Sequence, residues 1–161
     1  MLEPIISGEI RPGSPLLALN NAHAAELSWL DLDRLRHLVG TAYLAARIGA
    51  ADALLLVMDQ HADYDSPNFL WFHARYSRFV YVDRVVIAPA ARGRGYARLL
   101  YDALFAKAAA DGYSQVVCEV NSDPPNPGSD AFHARLGFAV VGSASIHGGS
   151  KTVRYLARSL P

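Results

Sequence analysis

The residues best suited to chemistry lie in one glycine- and arginine-rich run that follows a β-branched segment. The run reads Arg92, Gly93, Arg94, Gly95, Tyr96, Ala97 and Arg98. A helical pattern follows it, and a helix N-terminus offers free backbone N–H groups and a positive dipole end. Glycines let an anion approach the backbone closely, and arginines pair with phosphate oxygens. The run therefore predicts a site for a phosphate-bearing ligand.

Two common phosphate-binding motifs do not fit this run. A dinucleotide-binding fingerprint requires glycine at its sixth place, which, counted from Gly93, is Arg98. A P-loop ends in Gly-Lys-Ser or Gly-Lys-Thr, and the chain contains neither. A plain strand-to-helix turn with solvated arginines is the structural alternative, and a mononucleotide site is a further functional one.

The elements around the run alternate between strand-like and helix-like patterns. Apolar or β-branched segments predict strands over residues 16–19, 53–58, 79–87, 116–120, 138–142 and 152–157. Helical spacing predicts helices over residues 30–48, 99–110 and 130–136. Residues 59–68 and 124–128 carry turn and proline chemistry instead. This order predicts a mixed α/β (α+β) sheet rather than a strict βαβ repeat.

The composition is typical of one globular domain that spans residues 1–161. Hydrophobic residues make up 52% and charged residues 19% of the chain, which excludes disorder as the main state. The 15 basic and 15 acidic residues give a net charge of zero, so we expect no nucleic-acid partner. The pattern predicts no signal peptide and no membrane span. We therefore expect a cytoplasmic protein that does not bind membranes.

Two blocks of the sequence resemble the GNAT N-acetyltransferases. Residues 85–100 look like the acetyl-CoA-binding motif of that family, whose signature is Gln/Arg-x-x-Gly-x-Gly/Ala. The signature is matched here by Arg92, Gly95 and Ala97. Asn126 with residues 131–138 is similar to a second family block, Asn…Phe-Tyr-x-x-Leu-Gly-Phe. Since the predicted helix and strand between the blocks fit the family, the pair is more specific than either block alone.

The resemblance implies a single GNAT-like domain with a central, mixed, mostly antiparallel twisted sheet. That sheet has six to seven strands flanked by helices, and a splayed pair of strands at the cofactor site. It also implies acetyl-CoA as the cofactor and transfer of its acetyl group to a primary amine of a small molecule or a protein. Proteins of this fold often pair, so a homodimer stays open.

The resemblance also assigns cofactor contacts to named positions. Backbone groups of one strand would bind the pantetheine arm, and they belong to Val85, Val86 and Ile87. The pyrophosphate would rest on the N–H groups of residues 93–98. Asn126 matches an asparagine that contacts the cofactor. Core packing of the three strand side chains is compatible with this role, because the backbone does the binding.

Acyl transfer to an amine needs a base, an oxyanion site and a proton for the departing thiolate. Glu119 is the candidate base, because it lies in an apolar run whose burial raises the pKa of a carboxyl. Some GNAT enzymes have a glutamate at the matching position. A paired or solvated glutamate at the end of a strand is the structural alternative. A backbone N–H near Val86 or Ile87 is the candidate oxyanion site.

His133 stands where the family motif usually has tyrosine. Histidine can act as a general acid near neutral pH, so His133 is the candidate proton donor. Alternatively, His133 packs against the cofactor while another tyrosine or water supplies the proton. A further alternative is that the chain has no catalytic activity and is an acyl-CoA-binding module of the same fold.

Candidate acceptor-binding residues lie in and after an aromatic-rich stretch over residues 64–81. Tyr64 and Trp71 indicate either an aromatic wall for an amine or plain core packing. Asp83, within an apolar strand and next to an arginine, is either a substrate clamp or half of a structural ion pair. Asn121 either binds substrate or caps a turn. The histidines show no ligand spacing, so we expect no metal, and Cys118 is a predicted core residue.

Overall fold

The structure, a computed structural model, describes residues 1–161. Its strands are β1 (Leu2–Pro4), β2 (Leu44–Ile48), β3 (Ala53–Asp59), β4 (Val80–Ile87), β5 (Gln115–Asp123), β6 (Ala139–Ile146) and β7 (Lys151–Ser159). Its α-helices are α1 (Pro15–Ala22), α2 (Leu32–Thr41), α3 (Pro67–His73), α4 (Tyr96–Ala110) and α5 (Pro127–Arg135). None of these helices combines the length and the apolar character that crossing a bilayer requires.

The seven strands form one sheet in the order β1-β2-β3-β4-β5-β7-β6. Every neighbouring pair is antiparallel except β4 and β5, which run parallel. β4 and β5 pair only at Val80 with Val116 and at Tyr81 with Val117, although both strands continue further. The expected mixed, mostly antiparallel sheet with a splayed pair of strands is thus confirmed. Beyond Tyr81 the two strands enclose a gap.

A β-bulge in β4 lies at the start of this gap. Val82 pairs with Val57 of β3 and Arg84 pairs with Leu56, so Asp83 is an extra residue without a partner on β3. A bulge bends its strand and re-aims the side chains next to it. It therefore brings the charged pair Asp83 and Arg84 toward the same region of the site.

The core lies on both faces of the sheet. On one face, Leu54 and Leu56 of β3 pack with the buried residues of α1, α2 and α3. On the other face, Leu55 and Val57 pack beneath α4. Because both faces of β3 are covered, its residues form a continuous apolar run rather than an alternating one.

Two of the predicted elements were wrong. Residues 16–19 were predicted as a strand but belong to α1, whose first residue is Pro15 and whose buried side chains include Leu16 and Leu19. A short apolar run does not distinguish a strand from one buried helical face. The predicted helix over residues 30–48 ends at Thr41, and its second half forms β2. Pairing of β2 with both β1 and β3 outweighs the helical preference of its alanines.

Helix α3 was not predicted. Residues 59–68 were interpreted as a turn, but Pro67 occupies the first helical turn and residues 67–73 form a helix. Proline is favoured at that position because its missing N–H has no intrahelical partner there. The remaining predicted elements match β3, β4, α4, β5, α5, β6 and β7 within a few residues.

Candidate active site

The turn between β4 and α4 has the geometry of an anion site. Gly93 and Gly95 have φ values of +80° and +75°, a region that favours glycine. A Cβ added at either position would meet no atom within 4 Å. The backbone N–H groups of residues 93–98 donate to no other group of the chain. Six successive free donors at the N-terminus of a 15-residue helix therefore surround open space.

This turn forms one wall of a groove of about 820 Å³, which we call the loop groove. The predicted cofactor-binding residues that line it are Val85, Val86, Ile87, Arg92, Gly93, Gly95, Tyr96, Ala97, Arg98 and Asn126. Arg94 belongs to the turn but does not line the groove, and its side chain is exposed. The Asn126 side chain also accepts a hydrogen bond from the Ser129 N–H, so it caps α5 as well.

The backbone of β4 is available to a ligand on the side that faces the gap. The Ala88 N–H donates to the Asp52 carbonyl, toward β3. Because N–H groups alternate in direction along a strand, those of Val85 and Ile87 face the gap. The expected oxyanion donor near Val86 or Ile87 is therefore available at Ile87.

A cavity of about 130 Å³ occupies the gap between β4 and β5, and we call it the gap cavity. Both candidate catalytic residues, Glu119 and His133, line it, as do Asp83 and Asn121. It shares His133 with the loop groove and Glu119 with a second pocket on its other side. The gap cavity thus connects the loop groove to that second pocket.

Glu119 is held at one oxygen and unpartnered at the other. Its Oε1 accepts a hydrogen bond from Asn68 Nδ2 at 3.1 Å, whereas its buried Oε2 has no partner. Burial and, to a lesser extent, the nearby Asp83 carboxyl raise the pKa of Glu119 to about 8, although the Tyr81 hydroxyl and the Asn68 amide act to lower it. A carboxyl with this pKa is suited to accept a proton near neutral pH.

His133 uses both ring nitrogens in hydrogen bonds. Nδ1 lies 2.8 Å from the Ser129 carbonyl oxygen, which can only accept, so Nδ1 carries the proton. Nε2 then accepts the Tyr101 hydroxyl proton over 2.6 Å. Burial lowers the pKa of His133 and raises that of Tyr101 well above its ordinary value. Both groups are therefore neutral at neutral pH.

The second pocket has a volume of about 380 Å³, and we call it the side pocket. Tyr64, Asp83 and Asn121 line it together with Glu119. Tyr64 donates a 2.7 Å hydrogen bond to Asp83, whose other oxygen lies 3.1 Å from Arg84 Nε. Burial raises the pKa of Asp83, and Arg84 and Tyr64 lower it. Of the three candidate wall residues, the structure places Tyr64 and Asp83 together in this pocket, whereas Trp71 does not line it.

Arg84 ties the segment between α1 and α2 to the sheet. Its Nη1 donates to Asn20 Oδ1 and to the Ser28 carbonyl, both at 2.9 Å, and its Nη2 donates to Ser28 Oγ at 2.7 Å. In the same segment, Glu26 and Leu27 line the loop groove, the gap cavity and the side pocket alike. The Asp83–Arg84 pair is thus a structural anchor as well as a part of the wall.

The structure separates Trp71 from the pocket walls. The indole stacks on Tyr155 with ring centroids 4.1 Å apart, and the Arg75 guanidinium lies over its other face at 3.9 Å. Other aromatics of the same stretch, Phe69 and Phe72, are buried in the core.

Sequence reasoning missed Glu26, Leu27, Asn68, Tyr101 and Tyr155. None of them belongs to a motif, and only the folded chain brings them to the pocket walls or into contact with the residues that line them. No group of three or more His, Cys, Asp or Glu side chains is arranged to hold a metal ion. Cys118 is buried, and burial raises its pKa well above the ordinary value.

Comparisons with known proteins identify the family of the chain. The model of the acetyltransferase (GNAT) family matches residues 22–138. Because that match covers most of the 161 residues, the chain belongs to the GNAT acetyltransferase family. No curated protein sequence matches the chain.

Several solved structures share the fold. Naa20 of Chaetomium thermophilum, in complex with a bisubstrate analogue, has 17% identity and a TM-score of 0.75, over 99% of this chain and 86% of that one. The NatC complex bound to Gag peptide and CoA has 12% identity and a TM-score of 0.72, over 100% of this chain and 98% of that one. An IAA acetyltransferase from Bacillus cereus has 15% identity and a TM-score of 0.64, over 99% of both chains. At these identities the likeness establishes the fold alone.

Proposed function

We propose that residues 1–161 form a single N-acetyltransferase domain that transfers an acetyl group from acetyl-CoA to a primary amine by direct attack. The acceptor is an amine of a small molecule or of a protein. The observation that carries the proposal is the position of Glu119. Glu119, whose Oε2 has no hydrogen-bond partner, lines the gap cavity between the loop groove and the side pocket, where a donor and an acceptor entering from opposite sides would meet.

The loop groove fits the diphosphate of coenzyme A. The free N–H groups of residues 93–98 supply donors, and the glycines leave room for an anion beside the backbone. Arg92 adds positive charge, while Arg98 is already paired with Asp102 at 3.1 Å. The gap-facing backbone of β4 offers hydrogen bonds to a pantetheine arm, and Asn126 lies beside it. When bound, acetyl-CoA supplies an acetyl group activated as a thioester.

Two groups of the chain would carry the first half of the reaction. Glu119 accepts a proton from the acceptor amine at Oε2, which leaves the nitrogen lone pair free to attack. The Ile87 N–H, facing the gap, donates to the oxygen on which negative charge develops. Both groups are fixed on strands, so they need little rearrangement as the charge forms.

For the leaving thiolate we propose that His133 is the acid and acts through Tyr101. When Nε2 is protonated, it donates to the Tyr101 oxygen, and the Tyr101 O–H is then free to turn into the gap. One proton passes from Tyr101 to sulfur as another passes from His133 to Tyr101, and the imidazole ends neutral. Burial lowers the pKa of His133, so its protonated form is scarce but strongly acidic.

The side pocket is the proposed acceptor site. Tyr64 and Asp83 form an aromatic and acidic wall that suits a cationic amine before it loses its proton. Asn121 lies between the gap cavity and the side pocket, where it can hydrogen-bond the acceptor. Trp71 does not line this pocket but stacks on Tyr155, whose hydroxyl donates to Asn68 in the pocket wall.

A non-catalytic acyl-CoA-binding module is the second candidate. The observation that favours it is the state of His133, which is neutral and has both ring nitrogens occupied by the Ser129 carbonyl and Tyr101. A module of this kind would bind acetyl-CoA at the loop groove and release no thiol.

Thiol release from acetyl-CoA, measured with a panel of primary amines between pH 6 and pH 10, separates the two candidates. We expect turnover with at least one amine. Because the proposed steps need Glu119 ionised and His133 protonated, the rate should stay nearly level from the lowered pKa of His133 up to the pKa of Glu119, about 8, and fall about tenfold per pH unit above it. Glu119→Gln should lower kcat at least about 100-fold and leave CoA affinity unchanged. Glu9→Gln, at an exposed glutamate outside the three pockets, is the control. CoA binding without turnover for any amine would favour the module.

A thermal-shift comparison tests the ligand itself. Acetyl-CoA should raise Tm with concentration, because a ligand stabilises the state that it binds. Mononucleotides at equal concentration should raise it far less. A larger shift with a mononucleotide would assign the loop groove to a nucleotide instead.

A further inference from the structure

The connection between β3 and β4 is longer than its geometry requires. These strands are antiparallel neighbours, and a two-residue turn is enough to join such a pair. The chain instead inserts residues 60–79, which include α3. The added segment therefore has a use other than closing the hairpin.

Helix α3 is packed firmly against the acceptor side of the sheet. Phe69 and Phe72 have exposed fractions of 1% and 0%, so they fix the helix in the core. Trp71 stacks on Tyr155 of β7, which is the residue paired with Glu119 across β5 and β7. The helix thus reaches Glu119 both directly and through the neighbouring strand.

Asn68 of α3 joins Tyr155 to Glu119. Its Nδ2 donates to Glu119 Oε1 at 3.1 Å, and its Oδ1 accepts from the Tyr155 hydroxyl at 2.9 Å. An ionised carboxylate only accepts hydrogen bonds, so the amide must turn its NH₂ toward Glu119. The amide oxygen then faces Tyr155, whose hydroxyl must donate. Tyr155 therefore fixes the orientation in which Asn68 supports the ionised form of Glu119.

We propose that Asn68 of the α3 insertion is a positioning residue for Glu119 and is itself held by Tyr155. The contact occupies Oε1 and leaves Oε2 as the oxygen that meets the acceptor amine. This inference rests on the proposed role of Glu119 as the base. It adds the prediction that a residue outside the family motifs lowers the pKa of that base by a hydrogen bond.

Other groups around Glu119 also act on its proton. Tyr81 and Asp83 face it from β4, Tyr155 from β7 and Tyr101 from α4, and Cys118 lies next to it on β5. Burial raises the pKa of Tyr155 to about 12, so Tyr155 stays neutral through the range in which Glu119 titrates. Asn68 does not ionise, so its removal changes a hydrogen bond and no charge.

The direct test is the ionisation of Glu119, followed by ¹³C NMR on protein labelled at the glutamate side-chain carboxyl. The only glutamates are Glu3, Glu9, Glu26 and Glu119, and Glu119→Gln identifies the signal of interest. Asn68→Ala should raise the pKa of Glu119 by about one to two pH units, the effect of losing one hydrogen bond to a charged group. Tyr155→Phe should shift it in the same direction, because the amide is then free to turn its oxygen toward the carboxylate.

Tyr76→Phe is the matched control for Tyr155→Phe. Tyr76 belongs to the same inserted segment and packs on the core through Phe72, but its hydroxyl makes no hydrogen bond within the chain. Its removal should leave the titration of Glu119 unchanged. If Tyr76→Phe and Tyr155→Phe shift the pKa of Glu119 equally, Tyr155 does not act through Asn68 and the proposal is contradicted.

Kinetics give an independent readout. At pH 7, Asn68→Ala should lower kcat/KM about tenfold or more, and the loss should shrink as the pH approaches the raised pKa. A purely structural role predicts the same loss at every pH. An unchanged or lowered pKa of Glu119 in Asn68→Ala overturns the inference and leaves the proposed function standing. If Glu119→Gln retains full turnover, the role of Glu119 as base fails, whereas the NMR titration still decides whether Asn68 controls its proton.

Discussion

The Tyr101 hydroxyl donates a 2.6 Å hydrogen bond to His133 Nε2 at the wall of the gap between β4 and β5. Tyr101 comes from α4, which follows the glycine-rich turn, and His133 comes from α5. The residue that stands in place of the family's usual tyrosine is thus paired with a tyrosine from another helix. The phenol is present at the gap, but it is supplied from a different part of the chain.

This pairing predicts that the two side chains act as one unit in turnover. Tyr101→Phe and His133→Phe should each lower kcat about 100-fold, the contribution of a general acid. The double variant should lose little more than either single variant, because removing one member already disables the other. Measuring all three under saturating substrate gives the coupling. Losses that multiply in the double variant would show that the residues act separately.

The glycine-rich turn predicts a split between stability and affinity. Gly95→Ala places a Cβ at φ +75°, which should cost about 1–2 kcal/mol of unfolding free energy, and it should weaken CoA binding at least tenfold. Gly13→Ala is the matched control, since Gly13 has φ +80°, open space around its Cβ and no place in the loop groove. It should lose similar stability and keep its affinity in titration calorimetry. Equal CoA affinity in the two variants would show that the turn does not contribute to the binding site.

Burial of Glu119 predicts a particular dependence of stability on pH. Its pKa in the folded chain is about 8, above the ordinary value of about 4.5, so the folded state holds this proton more tightly than the unfolded state. That stabilisation is complete below pH 4.5 and is lost as the pH rises toward 8. Each tenfold change in proton affinity corresponds to about 1.4 kcal/mol.

Glu119→Gln cannot lose that proton. Its unfolding free energy, measured in urea from pH 5 to pH 8, should fall less than that of the natural protein. If the unfolding free energies of the two proteins depend on pH in the same way, Glu119 has the same pKa in the folded and unfolded states, and the prediction is wrong.

The contact between β6 and α3 predicts that Gly142 cannot be enlarged. A Cβ at Gly142 would overlap the indole of Trp71, with Cη2 only 2.7 Å away. The indole cannot move freely, because Tyr155 and Arg75 cover its two faces. Gly142→Ala should therefore lower the unfolding free energy by about 1–3 kcal/mol. Gly8→Ala, with no atom near its Cβ, should change it far less. Calorimetric melting of both variants tests the difference.

The predictable parts of the molecule are those that local chemistry specifies. The glycine-rich turn, β3, β4 and α4 follow from apolar runs and from glycines that need a left-handed backbone. α1 and β2 were mispredicted because short alanine- and leucine-rich segments suit either state until they pair or pack. The parallel pairing of β4 with β5 is long-range and leaves no local signal.

The site divides in the same way. The turn over residues 93–98 and Glu119 are recognisable because motif or burial marks them. Asn68, Tyr101 and Tyr155 are not, since each joins the site through a hydrogen bond to a residue distant in sequence. Hydrogen bonds between distant side chains depend on how the helices pack on the sheet. No local spacing of residues in a single sequence indicates which of these side chains will meet.

The two residue pairs that join β4 to β5 are also the only ladder between the four strands before the gap and the three after it. The two halves of the sheet are therefore joined at a short seam of two residue pairs. The glycine-rich turn and α4 form the covalent connection between the halves. A molecule filling the gap would add contacts to both halves at once. Backbone amides along the unpaired stretches of β4 and β5 should then exchange with solvent more slowly. A ligand in the gap would therefore rigidify the strands on both sides of it.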